Sequence, residues 1–277
     1  MAHLHRRAGF SATWPELQRD LADGPGPSLD RLLSGKALEG MAREEYDGRV
    51  ARLDEAALAG NRPDELRAAW VFRMLHGPDP LGERLALMWH NHFAASNAKV
   101  NEFHAMARQN ALFRDHGRAP FGELLGRVVR DPALLAWLDA SLNRPEHPNE
   151  NLARELMELF TLGVGRYTEA DVKEAARALT GWRFTADGLE DGNVRAQRGV
   201  RLERTESFDA ERHDGGEKTI LGRRGRWTGD DLVTQLLDHP ATAERLAWRI
   251  TTEFLGEGVA KEEEVAALVP GFATMSV

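Results

Sequence analysis

The amino-acid sequence predicts a mainly α fold, a multi-helix, orthogonal, bundle-like domain with a loop-rich insertion that carries a small β-hairpin. Three observations carry this expectation. Apolar residues recur at helical spacing over most of the chain, as in the stripe Leu81, Leu85 and Met88 that His92 continues. Helix-start signatures recur as well: Thr13 with Pro15 and Glu16, Thr168 with Asp171, and Thr228 with Asp231. The helical pattern fails only over residues 182–227, where Gly, Arg and Asp accumulate and short stretches alternate in polarity.

The elements follow in order. The Thr13 cap opens a helix that ends near Gly24, and Gly24-Pro25-Gly26-Pro27 reads as a turn after which Ser28 caps a short helix through Leu33. Residues 39–58 form a charged surface helix. Pro63 opens another that stops at Gly77, and Pro78-Asp79-Pro80 breaks the chain before a helix over 81–94. Helices are expected over 100–115, 121–130 and 132–140, the last with Asp131 as its cap, and residues 143–149 form a loop. Next comes an antiparallel helical hairpin. Its first helix buries Leu152, Leu156, Leu159 and Phe160; Gly163 and Gly165 bound the turn; its second helix, capped by Thr168, buries Val172, Ala175, Ala176 and Leu179. The insertion alternates around 200–203 and 218–221. Helices resume at Thr228, pause at His239-Pro240, run to about Leu255 and return over 261–268.

With 277 residues the chain can hold one large domain or two small ones, at about 150 residues per domain, and the helical pattern favours a single domain over 1–277. Hydrophobic residues at 42% and charged residues at 29% suit a packed globular protein. A formal charge of −8 argues against a dedicated nucleic-acid binder, which needs a basic face. Two local basic clusters exist, Arg195, Arg198, Arg201 and Arg204, and Arg223, Arg224 and Arg226 beside Trp227; such runs usually solvate a loop. The absence of cysteine removes thiol catalysis, disulfides and cysteine-ligated metals. No apolar run approaches the roughly 20 residues that span a bilayer, and no export signal precedes His3, so the chain as written reads as soluble and cytoplasmic.

Three polar clusters are candidates for chemistry. His90-Asn91-His92 holds two imidazoles, which can ligate a divalent metal. Two residues apart on a helix, they point about 200° away from each other, so one at most faces a given site. His92 is then either a buried histidine with one hydrogen-bond partner or a metal ligand or proton carrier. Glu155 and Glu158 share a helix face, one turn after Asn151, and can act as acid and base or hold a hard cation. Arg154 and Glu150 offer the simpler reading of a solvated face with weak ion pairs. His213-Asp214, with Lys218 beyond two glycines, offers further ligands or an oriented base, or only a turn. Nucleophile-elbow, P-loop, dinucleotide-binding and His-Glu-x-x-His motifs are absent.

The chain resembles a large bacterial family known as domain of unknown function 1800. The resemblance rests on His3-Leu4-His5-Arg6-Arg7-Ala8-Gly9-Phe10, on residues 84–93 around Trp89-His90-Asn91-His92-Phe93, and on Asn149-Glu150-Asn151-Leu152-Ala153-Arg154-Glu155-Leu156-Met157-Glu158-Leu159-Phe160-Thr161-Leu162-Gly163. Residues 174–182, His213-Asp214, Lys218 and His239-Pro240 extend it. It implies a mostly helical protein whose relatives are often exported and encoded beside a sulfatase-like protein, and it supplies no reaction. It also implies that members begin upstream of the His3 segment and continue beyond residue 277, so the chain reads as a fragment of a longer member. The expectations are therefore a helical protein belonging to an exported assembly, or a metal-assisted or acid–base hydrolase, or a non-catalytic scaffold for the neighbouring product. The hydrolase would use Glu155 and Glu158 as catalytic groups and His90, His92, His213 and Asp214 as ligands of a divalent metal, gathered in one pocket beside the glycine-bounded turn.

Overall fold

The computed structural model describes residues 1–35, 41–60, 62–182, 185–186, 202–203 and 208–273. The chain divides into two compact units, residues 1–89 with 113–118, and residues 90–112 with 119–277. It is mainly α-helical, as the periodicity predicts.

The first unit is built from α1 (Ala2–Ala8), α2 (Trp14–Asp23), α3 (Pro25–Ser34), α4 (Met41–Ala59), α5 (Pro63–His76) and the start of α6 (Pro80–His92). The Thr13–Glu16 capping box forms as the sequence predicts. Ser28 does not cap α3. That helix already begins at Pro25, whose fixed φ suits a first helical position, and the Ser28 hydroxyl inside it donates to the Gly24 carbonyl at 2.7 Å. Buried Glu83 ties the unit together, accepting from Trp70 Nε1 at 3.0 Å and from Arg114.

The second unit continues with α7 (Asn97–Val100), α8 (Phe103–His116, whose last turn belongs to the first unit), α9 (Phe121–Val128) and α10 (Pro132–Trp137). The single helix expected over 100–115 is split. Asn101 takes φ 53°, and the Glu102 carboxylate then receives the backbone N–H groups of His104 and Ala105, as a capping residue does. Asp131 caps α10 through the Leu134 N–H.

The helical hairpin follows: α11 (Glu150–Glu155), a π-helical turn over Leu156–Thr161, and α12 (Glu169–Ala178). Val172, Ala175, Ala176 and Leu179 are buried as expected, and so are Leu152, Leu156 and Phe160. Leu159 is not: it is 41% exposed, while Met157 is fully buried. The reason is the i→i+5 spacing of the π turn, which rotates the side chains after Leu156 out of α-helical register.

The insertion carries two short antiparallel pairs, β1 (Thr185–Ala186) with β2 (Leu202–Glu203) and β3 (Lys218–Ile220) with β4 (Arg223–Gly225). The second pair closes through Leu221 and Gly222, both at positive φ, a two-residue turn of the kind that matches strand twist. Leucine is an unusual choice there, and its N–H is held at 2.7 Å by the Asp171 carboxylate of α12. Of the two basic clusters, the first lies outside the described residues. The second is exposed on and after β4, with Arg224 paired to Glu217 at 2.7 Å. The chain ends in α13 (Gly229–Asp238), α14 (Pro240–Leu255) and α15 (Glu262–Ala273), which runs through Pro270 and past its expected end. No helix among the described residues is long and apolar enough to cross a membrane.

Candidate functional site

The π turn gathers more chemistry than any other predicted segment. Its widened backbone holds Leu162 N–H to the Met157 carbonyl at 2.9 Å, five residues back. Three side chains bond carbonyls of this segment, two of them in the last turn, where any helix end leaves carbonyls free. The Thr161 hydroxyl donates to Leu156 O, His92 Nε2 to Phe160 O at 3.1 Å, and Arg245 Nε to Leu159 O at 2.9 Å. His92 and Arg245 come from α6 and α14, so the π turn is braced by residues distant in sequence. Such turns in helices are frequent at functional sites.

His92 is buried among the rings of Phe93, Phe121 and Phe160. Burial lowers its pKa to about 3, against a smaller opposing effect of the Phe160 carbonyl, with the positive charges of Arg249 and Arg245 adding to the fall. Its Nε2 carries the proton given to Phe160. The imidazole is neutral and structural at ordinary pH. His90 faces elsewhere, as the two-residue spacing requires: its Nε2 accepts from Asn110 Nδ2 at 3.1 Å.

Glu155 and Glu158 lie at the α–π junction in unequal surroundings. The Glu158 carboxylate accepts the Tyr167 hydroxyl. Burial and the Glu158 carboxylate push the Tyr167 pKa up to about 12, so the phenol keeps its proton and donates it. Glu155 is half-buried and has no hydrogen bond or ion pair among the described residues. Burial first, and then the neighbouring Glu158 charge, raise its pKa, against a smaller effect of Arg154. Arg154 itself is committed to Glu169 and Glu150. The solvated-face reading therefore describes Arg154, Glu150 and Glu169 but leaves Glu155 out.

His213 and Asp214 belong to a different place. His213 Nδ1 donates to the Thr180 carbonyl at 2.9 Å, and Asp214 holds Arg177 through two bonds of 2.6 and 3.2 Å. Arg177 first, with the Gly216 N–H, keeps the Asp214 pKa below the usual carboxylate range despite partial burial. The Lys218 ammonium is buried against the carbonyls of Asp214 and Gly216 and closes this loop. Glu169, which meets Arg154, and Arg177, which meets Asp214, are eight residues apart on α12, about 12 Å at 1.5 Å per residue. Glu155 and Glu158 thus flank the start of the turn whose Phe160 carbonyl His92 holds, whereas His90 is bonded to Asn110, and His213 and Asp214 to Thr180 and Arg177. Among the described residues no three His, Asp or Glu side chains converge as a metal-ligand set.

The family described as protein of unknown function (DUF1800) has a model that matches residues 3–275. The chain belongs to that family. No curated protein and no solved structure matches it.

Two features of this family member escaped the sequence reading. Arg245 bonds Leu159 O from 86 residues away and Arg249 lies four residues further along α14; their only local signal is two cations one helical turn apart. In the first unit, a cleft of about 280 Å³ is lined by His5, Arg19, Asp20, Arg31, Met74 and Pro80, among others. There Asp20 Oδ2 pairs with His5 Nε2 at 2.6 Å and its other oxygen receives Arg19 and Arg31. Burial alone would raise the Asp20 pKa, but these three partners outweigh it and lower it. The carboxylate of the cleft is saturated, whereas that of Glu155 is not.

Proposed function

We propose that the protein is an acid–base hydrolase whose chemistry sits at the π turn, with Glu155 as proton donor and Glu158 as base. The single observation that supports this is a pair of neighbouring carboxyl groups in contrasting environments. One is half-buried and without a partner among the described residues; the other is fixed by a tyrosine hydroxyl. Two titratable groups set apart in this way divide naturally into acid and base. A metal-assisted version needs three donors in one place, which the described residues do not supply.

In the proposed reaction, the C–O bond of an ester or glycoside breaks as its leaving oxygen takes the Glu155 proton. Water adds to the carbon and gives its proton to Glu158; Glu158 then releases that proton to solvent and Glu155 takes one up, which restores both groups. Tyr167 is a positioning residue that orients Glu158. The rate should fall as pH rises through the raised Glu155 pKa, because only the protonated acid can donate.

The test uses the full chain and a panel of esters and glycosides with alkyl leaving groups. Such groups need protonation; a nitrophenolate leaves without it and hides the acid. The expected result is turnover that Glu155→Gln lowers at least 100-fold, with loss of the alkaline limb of the pH profile, at unchanged circular dichroism. Absence of turnover across the panel, or a Glu155→Gln protein as active as the wild type, overturns the proposal. In that event a non-catalytic role in an exported assembly takes its place. Trp14, Leu21 and Leu75, each more than 60% exposed, are apolar surface of the kind such a partner would cover.

A further inference from the structure

We propose that Arg245 and Arg249 form a binding site for an oxyanion, a carboxylate, phosphate or sulfate group, on the flank of the π turn. The two side chains are four residues apart on α14 and therefore neighbours on one face, and both are partly buried. Several other guanidinium groups that leave bulk water are matched by carboxylates, among them Arg73 by Asp54, Arg114 by Glu83, Arg177 by Asp214 and Arg31 by Asp20. Arg245 and Arg249 are not. Among the described residues Arg245 reaches only the Leu159 carbonyl, through Nε, and its two Nη groups bond to none of them. Arg249 has no hydrogen bond or ion pair among the described residues, and its Nε is buried without a partner.

The nearby acids are already engaged. Glu158, whose charge reaches Arg245, accepts Tyr167. Glu244, next to Arg245, pairs with Arg166 at 3.1 Å. The two arginines consequently face each other's charge. Burial, and then Arg249, lower the Arg245 pKa against the weaker pull of Glu158. His92, the remaining basic group against them, is neutral and bound to Phe160. The result is two positive charges, with donor groups in fork geometry, one helical turn apart on α14 and neither paired with a carboxylate among the described residues. An oxyanion accepts two parallel N–H bonds from one such fork and removes the repulsion between two. Gly163 passes beside this place at φ 91°, its missing Cβ 3.4 Å from Arg245 Nη1.

Oxyanion binding stands apart from catalysis. Only the further statement, that the bound anion is part of the substrate, rests on the hydrolase reading. The experiment titrates the full chain with sodium sulfate, phosphate or acetate at ionic strength held constant with sodium chloride, followed by calorimetry and thermal melting. At least one of the three should bind saturably and raise Tm, and acetate against the tetrahedral ions identifies carboxylate or phosphate/sulfate as the preferred group. Arg249→Gln should weaken binding at least tenfold, and Arg249→Lys, which keeps the charge and loses the fork, should fall between. Without ligand, Arg249→Gln should melt at or above the wild-type temperature, because a repulsion and a buried unpaired N–H are gone. A lower Tm marks a structural arginine and overturns the proposal, as does binding no different from chloride or unchanged in Arg249→Gln. Glu155→Gln should retain the binding whether or not it loses turnover, which separates the failure of this site from the failure of the hydrolase reading.

Discussion

At His92 two effects oppose each other. The apolar shell of Phe93, Phe121 and Phe160 disfavours a charged ring, the Phe160 carbonyl favours it, and burial wins, holding the pKa to about 3. The unfolded chain has an ordinary histidine near 6.5. A base whose folded pKa is depressed contributes its full stability above the unfolded value and loses it as pH falls toward the folded one. Glutamine at this position can still donate to Phe160 O but does not titrate. The stability advantage of the wild type over His92→Gln should therefore be greatest above pH 6.5 and shrink by up to ~1.4 kcal/mol per pH unit between pH 6.5 and 3. Urea midpoints of both proteins across that range measure it. A difference independent of pH would mean that the ring is not held neutral by burial. The sequence places His92 on the apolar stripe of α6, and so offered the buried histidine as one reading. It could not show the partner, a backbone carbonyl 68 residues away.

At the scale of the element, the helix starts follow from local rules and the π turn does not. Thr168 with Asp171 and Thr228 with Asp231 form capping boxes because each threonine and its acid, three residues on, satisfy N–H groups that a first turn leaves free. Nothing beyond four residues of sequence is needed to see this. The π turn uses the same residue types as an α-helix, and the groups that hold its last carbonyls, His92 and Arg245, come from elsewhere in the chain. That is why Leu159 was expected in the core and faces solvent instead. The two capping boxes also differ in a testable way. Among the described residues Asp231 serves only its own helix, whereas Asp171 also holds Leu221 in its positive-φ turn. Asp231→Ala should cost about 1 kcal/mol, as the loss of a cap does. Asp171→Ala should cost more by another ~1 kcal/mol, the usual net contribution of one hydrogen bond, because Leu221 loses the bond that holds its conformation. Chemical denaturation of the two variants gives the ordering, and equal losses would show that the Asp171–Leu221 bond contributes nothing.

For the whole molecule, composition and periodicity were sufficient for the mainly α class, since that depends on repeated local patterns. The candidate site was legible only in its local half. Glu155 and Glu158 are visible from spacing, while Tyr167, Arg245 and Arg249 become neighbours only after the helices pack. The charged groups placed by that packing set how the molecule responds to acid. Asp20, Glu169, Asp171 and Asp214 have lowered pKa values, with Arg31, Arg154, Thr168 and Arg177 prominent among the partners responsible. Their stability is present above the unfolded carboxylate values near 4 and is lost as pH falls through the folded ones. Asp131, raised to about 6 by burial, and Glu155, raised by burial and Glu158, act with the opposite sign. They favour the folded state more as pH falls from neutrality toward 4. His92 loses stability over the same interval, so the two contributions offset each other there. Below about pH 4 Asp131 and Glu155 have given all they can, and His92 and the four paired acids all favour unfolding. Stability should therefore change little between about pH 6.5 and 4 and fall steeply below. Asp131→Asn, which removes the largest opposing contribution, should start its decline near pH 6 instead. Urea midpoints from pH 3 to 8 decide it: a wild type that weakens steadily from pH 6.5, or an Asp131→Asn curve of the same shape, would show that Asp131 does not hold its proton in the folded protein.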